Sequence, residues 1–359
     1  MYRYHGRFVG QLFDDIESLV AGELIDTTTV LDRLNALSAA NSTVIEQFWR
    51  ATGFGYPIPD SAFKQSPPYL FSDQPPVREF HTSGTSGASR GRVAYSPRGL
   101  ELMRMSILDN ARRHVTSGMV KPPIIRFVPT CADAPTMVMA YGMEVIATEL
   151  GDPELSEVVV GPQGVDYDRL ATALDRVCVA GQPAVLIGGS TAFANVCEHF
   201  ETRRRYFELP VGSRVVDAGG FKRQSSSLRV DTLRDALRRV FGFAEGHFVN
   251  LFGMTELASQ LYDYADHPIG PLGERVKAGR PYVQIKVRDP HTMATIATGR
   301  GLLEVVDLCV LDRPAALLTG DLALAAPAGA AVIGRVVRNS ARGCSLSLDA
   351  LTAREEMHV

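Results

Sequence analysis

Apolar side chains return every three or four positions at Phe8, Val9, Leu12, Phe13, Ile16, Leu19 and Val20, a spacing that puts them on one face of a helix. Helical text continues to about residue 52. Asn41-Ser42-Thr43 followed by Glu46 reads as a capped start for the stretch carrying Phe48 and Trp49. From Gly53 to Pro76 the prolines at 57, 59, 67, 68, 75 and 76 cannot continue helices, so an irregular wrap is expected there. Short apolar, β-rich runs then alternate with helical ones. IIRFVP precedes MVMAYGMEVIATEL, SEVVVG precedes YDRLATALDRVCVA, and AVLIGG precedes AFANVCEHFETRRRYF. SRVVDAGG precedes VDTLRDALRRVFGF, and HFVNLFG precedes a short helix expected over MTELASQLYD.

This alternation predicts an α/β protein with a mostly parallel sheet flanked by helices. Past about residue 278 the helical pattern stops, and YVQIKVRD, GLLEVVDL, LALAAP and AAVIGRVV predict a small β-rich subdomain. The expected division is a helical N-terminal segment plus an α/β lobe over 1–277, then a β-rich part over 278–359.

Composition narrows the function classes. At 359 residues, 45% hydrophobic and 21% charged, the chain can bury a large core. A net charge of −3 gives no basic field that would select nucleic acid or an anionic membrane as partner. Arg203-Arg204-Arg205 and Arg238-Arg239 are read as solvated helix faces. Five scattered cysteines without a C-x-x-C pair fit a reducing cytoplasm. Neither an export signal nor a membrane-spanning run is visible.

The chemistry gathers first at Phe80–Arg92, FHTSGTSGASRGR, where glycines free the backbone and hydroxyls add donors. Converging N–H groups in such a loop suit an anion, phosphate above all. The loop is neither G-x-x-x-x-G-K-[ST] nor a G-x-S-x-G elbow, and on its own it reads equally well as a polar surface loop.

The run Thr82-Ser83-Gly84-Thr85-Ser86-Gly87-Ala88-Ser89-Arg90-Gly91 resembles the phosphate loop of the adenylate-forming superfamily of acyl-CoA synthetases, luciferases and peptide-synthetase adenylation domains, with Arg90 at the usual lysine. Asn250-Leu251-Phe252-Gly253-Met254-Thr255-Glu256 resembles its aromatic-G-x-T-E segment. Leu318-Thr319-Gly320-Asp321 resembles its T-G-D, and Gly334-Arg335 with Arg342-Gly343 its late hinge segment. Together these span about residues 80 to 343. The short acyl-protein synthetases of luminescence operons, with their G-G-aromatic-K loop like Gly219-Gly220-Phe221-Lys222, and the phenazine-pathway proteins that adenylate griseoluteate are the nearest in pattern.

The resemblance implies ATP and Mg2+ as cofactors and a carboxylic acid as substrate. By resemblance Thr82, Ser83, Gly84, Thr85, Ser86 and Gly87 cradle phosphates beside Arg90, Glu256 holds the magnesium, and Thr255 donates to the α-phosphate or substrate carboxylate. Gly219 and Gly220 flank adenine, Phe252 and Gly253 meet its ring, Asp321 takes the ribose hydroxyls, Arg335 lies near ribose or phosphate, and Lys222 is a second cation. Plainer alternatives stand beside these: a helix N-cap for Thr255, an acid in a helix's first turn for Glu256, a strand-end core residue for Phe252, a turn acid for Asp321, and a surface ion pair for Arg335.

Members of that superfamily continue past the hinge as a mobile C-terminal domain of about 100 residues that carries a lysine bridging carboxylate and phosphate. This sequence stops at Val359, so that domain is expected to be missing. A carrier protein, coenzyme A or a partner acyltransferase would receive the acyl group. Cys344 would be the thiol to test if the chain passes the acyl group through itself; as a plain alternative it fills a β segment. A nucleotide-binding partner without turnover is a rival reading, and a hydrolase using Ser86 or Ser190 is disfavoured for want of an elbow and a base. Segments 128–139 and 188–195, with Met137 and Phe193, are expected to border the acid pocket or simply to pack in the core.

Overall fold

The computed structural model describes residues 6–65, 68–82, 91–218, 230–243, 247–263 and 275–335. The N-terminal pattern becomes three helices, Gly6–Ala21, Thr27–Asn41 and Thr43–Thr52. Ser42 caps the third, accepting from Ile45 N at 3.3 Å, and Asp26 caps the second.

A six-stranded sheet runs in the order Leu261–Tyr262, Phe248–Phe252, Arg214–Ala218, Val185–Gly189, Ile124–Phe127, Glu157–Val158. Its neighbours are parallel except at the Leu261–Tyr262 edge. Both faces are covered. Ile124, Val185, Ile187 and Val216 join a core shared with the N-terminal helices and the second sheet. Ile125, Leu186 and Val215 turn to a core under helices Tyr167–Ala180, Ser190–Thr202 and Val230–Phe241. Burial on both sides explains why these strands read as continuous apolar runs.

The second sheet is antiparallel along the path Val276–Ala278, Gly329–Arg335, Ala316–Ala326, Arg300–Asp307, Val283–Arg288, Thr295–Ile296. It also recruits the early segment Ile58–Pro59, which pairs in parallel with Ala316–Ala326 at Leu317 and Leu318. The proline-rich wrap thus adds a strand to a sheet built otherwise from residues beyond 275.

Three local expectations change. SEVVVG is broken: Glu157–Val158 stays in the large sheet, while Val160–Gly161 forms a small hairpin with Gly164–Val165. Helix Pro97–His114, capped by Ser96, adds an element without a clear sequence period, because buried Ser106 and Asn110 interrupt its apolar face. The short helix expected over 254–263 is absent; Leu257 N reaches Met254 O at 3.3 Å in one turn, and Leu261–Tyr262 is a strand. Tertiary partners take the backbone groups that a helix would pair internally. The Asp307 carboxylate accepts Ala258 N and Ser259 N at 2.9 and 2.7 Å, while Arg313 Nε and Tyr95 Oη donate to the carbonyls of Glu256 and Leu257.

Candidate active site

The C-terminal ends of the parallel strands bring Gly189, Ala218 and Phe252 to one edge of the sheet, where open α/β sheets bind ligands. Phe252 and Met254 are partly buried against the main core, Thr255 and Glu256 are buried, and a Cβ on Gly253 would meet nothing within 4 Å. Because 254–260 is not helical, Thr255 is no helix N-cap and Glu256 gains nothing from a helix dipole. A buried carboxylate at the end of a central strand therefore needs another reason to be there.

The ends of the glycine-rich loop are fastened. Strands Arg78–His81 and Arg92–Tyr95 pair antiparallel, and beyond them Thr82 N donates to Gly91 O at 2.8 Å while Gly91 N donates to Thr82 Oγ1 at 2.9 Å. A Cβ on Gly91 would come to 3.0 Å from that oxygen, so glycine permits the closure. Ser83, Gly84, Thr85, Ser86, Gly87 and Arg90 lie outside the described residues, as do Gly219, Gly220, Phe221, Lys222, Arg342, Gly343 and Cys344.

Asp321, Arg335 and Glu256 meet around a residue that the motifs did not reveal, Asp60. Along one edge of Ala316–Ala326 the strand Ile58–Pro59 ends beside Leu318, and Gly329–Arg335 ends with Arg335 opposite Asp321. Asp60 falls at the junction: its Oδ2 accepts Gly320 N at 3.3 Å and Arg335 Nη2, and its N–H donates to Leu318 O at 3.0 Å. Asp321 N donates to Thr319 Oγ1 at 3.1 Å, which fixes the T-G-D turn.

The electrostatics tie the group together. Burial pushes the Glu256 carboxyl above its ordinary range; Asp60 raises it further, against the pull of its own backbone amide, Arg335 and Arg313. Burial likewise raises Asp321, which Arg335 draws down and Asp60 raises. Arg335 is held above its usual value by Asp321 and Asp60, although burial opposes this. Among the described residues, three carboxylates against the guanidiniums of Arg335 and Arg313 leave the corner net negative, a setting for hydroxyl donors and hostile to a bare phosphate.

A second buried network stands at the ends of the central strands. Asp217 accepts Ser190 Oγ at 2.6 Å, and Asn250 Nδ2 donates to its backbone carbonyl at 3.0 Å. Lys277 Nζ donates to Asn250 O and Oδ1 at 2.8 and 2.6 Å. Burial lifts the Asp217 carboxyl to about 6 and pushes the Lys277 amine down to about 8. Asp217 directly precedes Ala218-Gly219-Gly220, the only sequence cue it offered. Of the expected pocket residues, Phe193 is fully buried with its ring 4.8 Å from that of Phe127, as core packing requires, while Met137 is exposed.

A family model described as "Acyl-protein synthetase, LuxE" matches residues 57–352. The chain belongs to the LuxE acyl-protein synthetase family. Solved structures share the fold of this LuxE-family chain. ATP-bound MatB from Rhodopseudomonas palustris is 18% identical with a TM-score of 0.50, over 72% of this chain and 47% of that one. The McyG A-PCP structure with phenylalanyl-adenylate is 16% identical at 0.51, over 73% and 47%. An open conformation of 2-hydroxyisobutyryl-CoA ligase with 2-HIB-AMP and CoA is 14% identical at 0.58, over 88% and 76%. The LuxE-family chain thus spans about half the length of the MatB and McyG chains. No curated protein matches it. Among the described residues no helix is long and apolar enough to cross a membrane.

Proposed function

We propose that this chain uses ATP and Mg2+ to activate a carboxylic acid as an acyl-adenylate, releasing pyrophosphate and handing the acyl group to a partner. The observation that carries the reading is the convergence of Glu256, Asp321 and Arg335 on Asp60, at the ligand edge of a chain in an acyl-protein synthetase family. A substrate carboxylate oxygen attacks the α-phosphorus, the bond to the bridging β-oxygen breaks, and pyrophosphate leaves with the electron pair. Two anions must be brought together, so the protein's work is charge neutralisation and alignment.

Asp321 takes the ribose diol, since a carboxylate offers adjacent acceptors. Phe252 lies along adenine with Gly219 and Gly220. Thr255 donates to the α-phosphate or the acid. Thr82, Ser83, Gly84, Thr85, Ser86 and Gly87 enclose the outer phosphates, with Arg90 and Lys222 as cations, and Arg335 stands on the ribose side.

The donor set fits magnesium in one particular way. Among the described residues no cluster of three or more His, Cys, Asp or Glu could cage a metal. Magnesium instead commonly binds one or two carboxylates together with substrate phosphates, and Glu256 supplies such a carboxylate. When bound there, the ion would neutralise phosphate charge. Residues 1–277 would serve as the nucleotide and acid lobe, with 278–359 completing the ribose corner.

The family's description favours a protein-borne acyl group as the product, with a carrier protein, coenzyme A or partner acyltransferase as alternative acceptors. Cys131, Cys178, Cys197 and Cys309 are free thiols, in keeping with a reducing cytoplasm. The reading is tested by pyrophosphate exchange into ATP across a panel of aryl and short aliphatic acids. Acid-dependent exchange supports it; clear ATP binding with no exchange on any acid would make the chain a nucleotide-binding partner.

A further inference from the structure

Arg313 is among the largest fully buried side chains of the described residues, 1% exposed, yet none of its hydrogen bonds to them goes to a carboxylate. Nε donates to the Glu256 carbonyl at 2.9 Å, and Nη2 donates to Tyr95 Oη at 2.6 Å. The guanidinium lies 4.5 Å from the Tyr95 ring centre, and among the described residues Nη1 has no hydrogen-bond partner. The adjacent Asp312 is turned elsewhere, accepting Ser96 N at the start of helix Pro97–His114 at 3.1 Å. Burying a guanidinium without a bonded acid is costly, and a core built for stability alone would use an apolar side chain.

What the cost secures is the path of Glu256–Ser259. Tyr95 Oη, itself bonded by Arg313, donates to the Leu257 carbonyl at 3.1 Å. On the other side Asp307, fully buried, accepts the N–H groups of Ala258 and Ser259, and Ser259 Oγ at 2.8 Å. Ser106 of helix Pro97–His114 adds a hydroxyl contact to Ser259 at 2.7 Å. Four consecutive residues without helical structure are thereby held from a hairpin strand, a helix, the end of strand Arg300–Asp307 and the loop after it. A buried network with most members bonded fixes geometry more tightly than apolar packing does.

We propose that Arg313, acting with Tyr95, is a positioning residue that fixes the Glu256–Leu257 backbone so that the Glu256 carboxylate meets the metal on ATP. This rests on the reading of Glu256 given above. A single backbone anchor matters here because magnesium tolerates little deviation in ligand geometry.

Tyr95→Phe removes one oxygen and Arg313→Lys keeps the charge while losing the fork. ATP affinity of the full chain is measured by calorimetry in EDTA and in excess Mg2+, with thermal melting as the check on folding. The expected result is EDTA affinity within about twofold of wild type, while the affinity gained on adding Mg2+ falls by about fivefold or more. If Arg313→Lys does not fold, Tyr95→Phe carries the test. A wild-type gain retained in full by Tyr95→Phe would overturn the positioning role alone. Equal losses with and without Mg2+ would also overturn it, showing only a structural contribution. No gain in the wild type would remove the metal from Glu256, and the positioning role with it.

Discussion

Asp60 and Arg335 are hydrogen-bonded although 275 positions separate them, and the same Asp60 oxygen accepts the amide of Gly320. The pair joins the proline-rich wrap to the last described strand at the T-G-D turn. Asp60 raises the carboxyls of both Glu256 and Asp321. Removing its charge lowers both, so their ionised forms persist to lower pH. Asp60→Asn should shift the acid limb of the pH–rate profile for pyrophosphate exchange toward lower pH; an unmoved limb would uncouple Asp60 from the site.

Glu256→Gln keeps the shape and removes the negative charge. Carboxylate-dependent exchange should fall by about 100-fold or more, comparable to losing one preorganised electrostatic contact. The melting temperature should change little, because Arg313 bonds the Glu256 backbone carbonyl, not its side chain. A rate close to wild type would refute the metal assignment.

Asp321→Ala deletes the proposed ribose acceptor while leaving the T-G-D backbone able to bond Thr319 Oγ1. A hydrogen bond to a charged group contributes roughly 1.5 kcal/mol or more, so the Kd for ATP should rise by about tenfold. Calorimetry reads this directly, and an unchanged Kd would move the ribose elsewhere.

Gly99→Ala tests the packing beside the site with a reversed sign. In an ordinary helix interior this change gains about 1 kcal/mol. Here a Cβ would lie 1.7 Å from Asp312 Oδ2. Either the helix or Asp312 must move, and the variant should lose about 3 kcal/mol in denaturant unfolding.

Asp217→Asn should alter how stability depends on pH. Burial lifts the native carboxyl to about 6, above the 3.8 of a free aspartate, so the native state binds the extra proton between these values. Wild-type stability from this group is therefore highest below pH 3.8 and declines as pH rises through 6. Relative to wild type, the variant should gain up to about 3 kcal/mol between those limits. A difference independent of pH would show that Asp217 is not the titrating group.

The parallel sheet was legible because strands such as Val185–Gly189 are apolar on both faces and helices such as Tyr167–Ala180 carry their own period. Leu186 and Ile187 point into different cores, so the run LIGG could not be mistaken for an amphipathic strand. What failed did so where distant residues claim backbone groups. The helix expected at MTELASQLYD is unmade by Asp307, Arg313 and Tyr95, none of them nearby in sequence. Asp60 sits in a proline-rich stretch with no motif of its own, and only the pairing of Ile58–Pro59 with Leu317–Leu318 carries it to the site. Motifs report residues that repeat across a family in short windows. They are silent about partners chosen by topology.

That pairing also governs the order of assembly. An early segment cannot lie down on Ala316–Ala326 until the ribosome has delivered residues beyond 318, so the Asp60–Arg335 corner is among the last parts of the described fold to close on a nascent chain. The emerging α/β lobe can bury its helices against its own strands while Asp60 waits. On the proposed reading of this corner, nucleotide capture becomes a late event in biogenesis, available only once nearly all of this region has been synthesised.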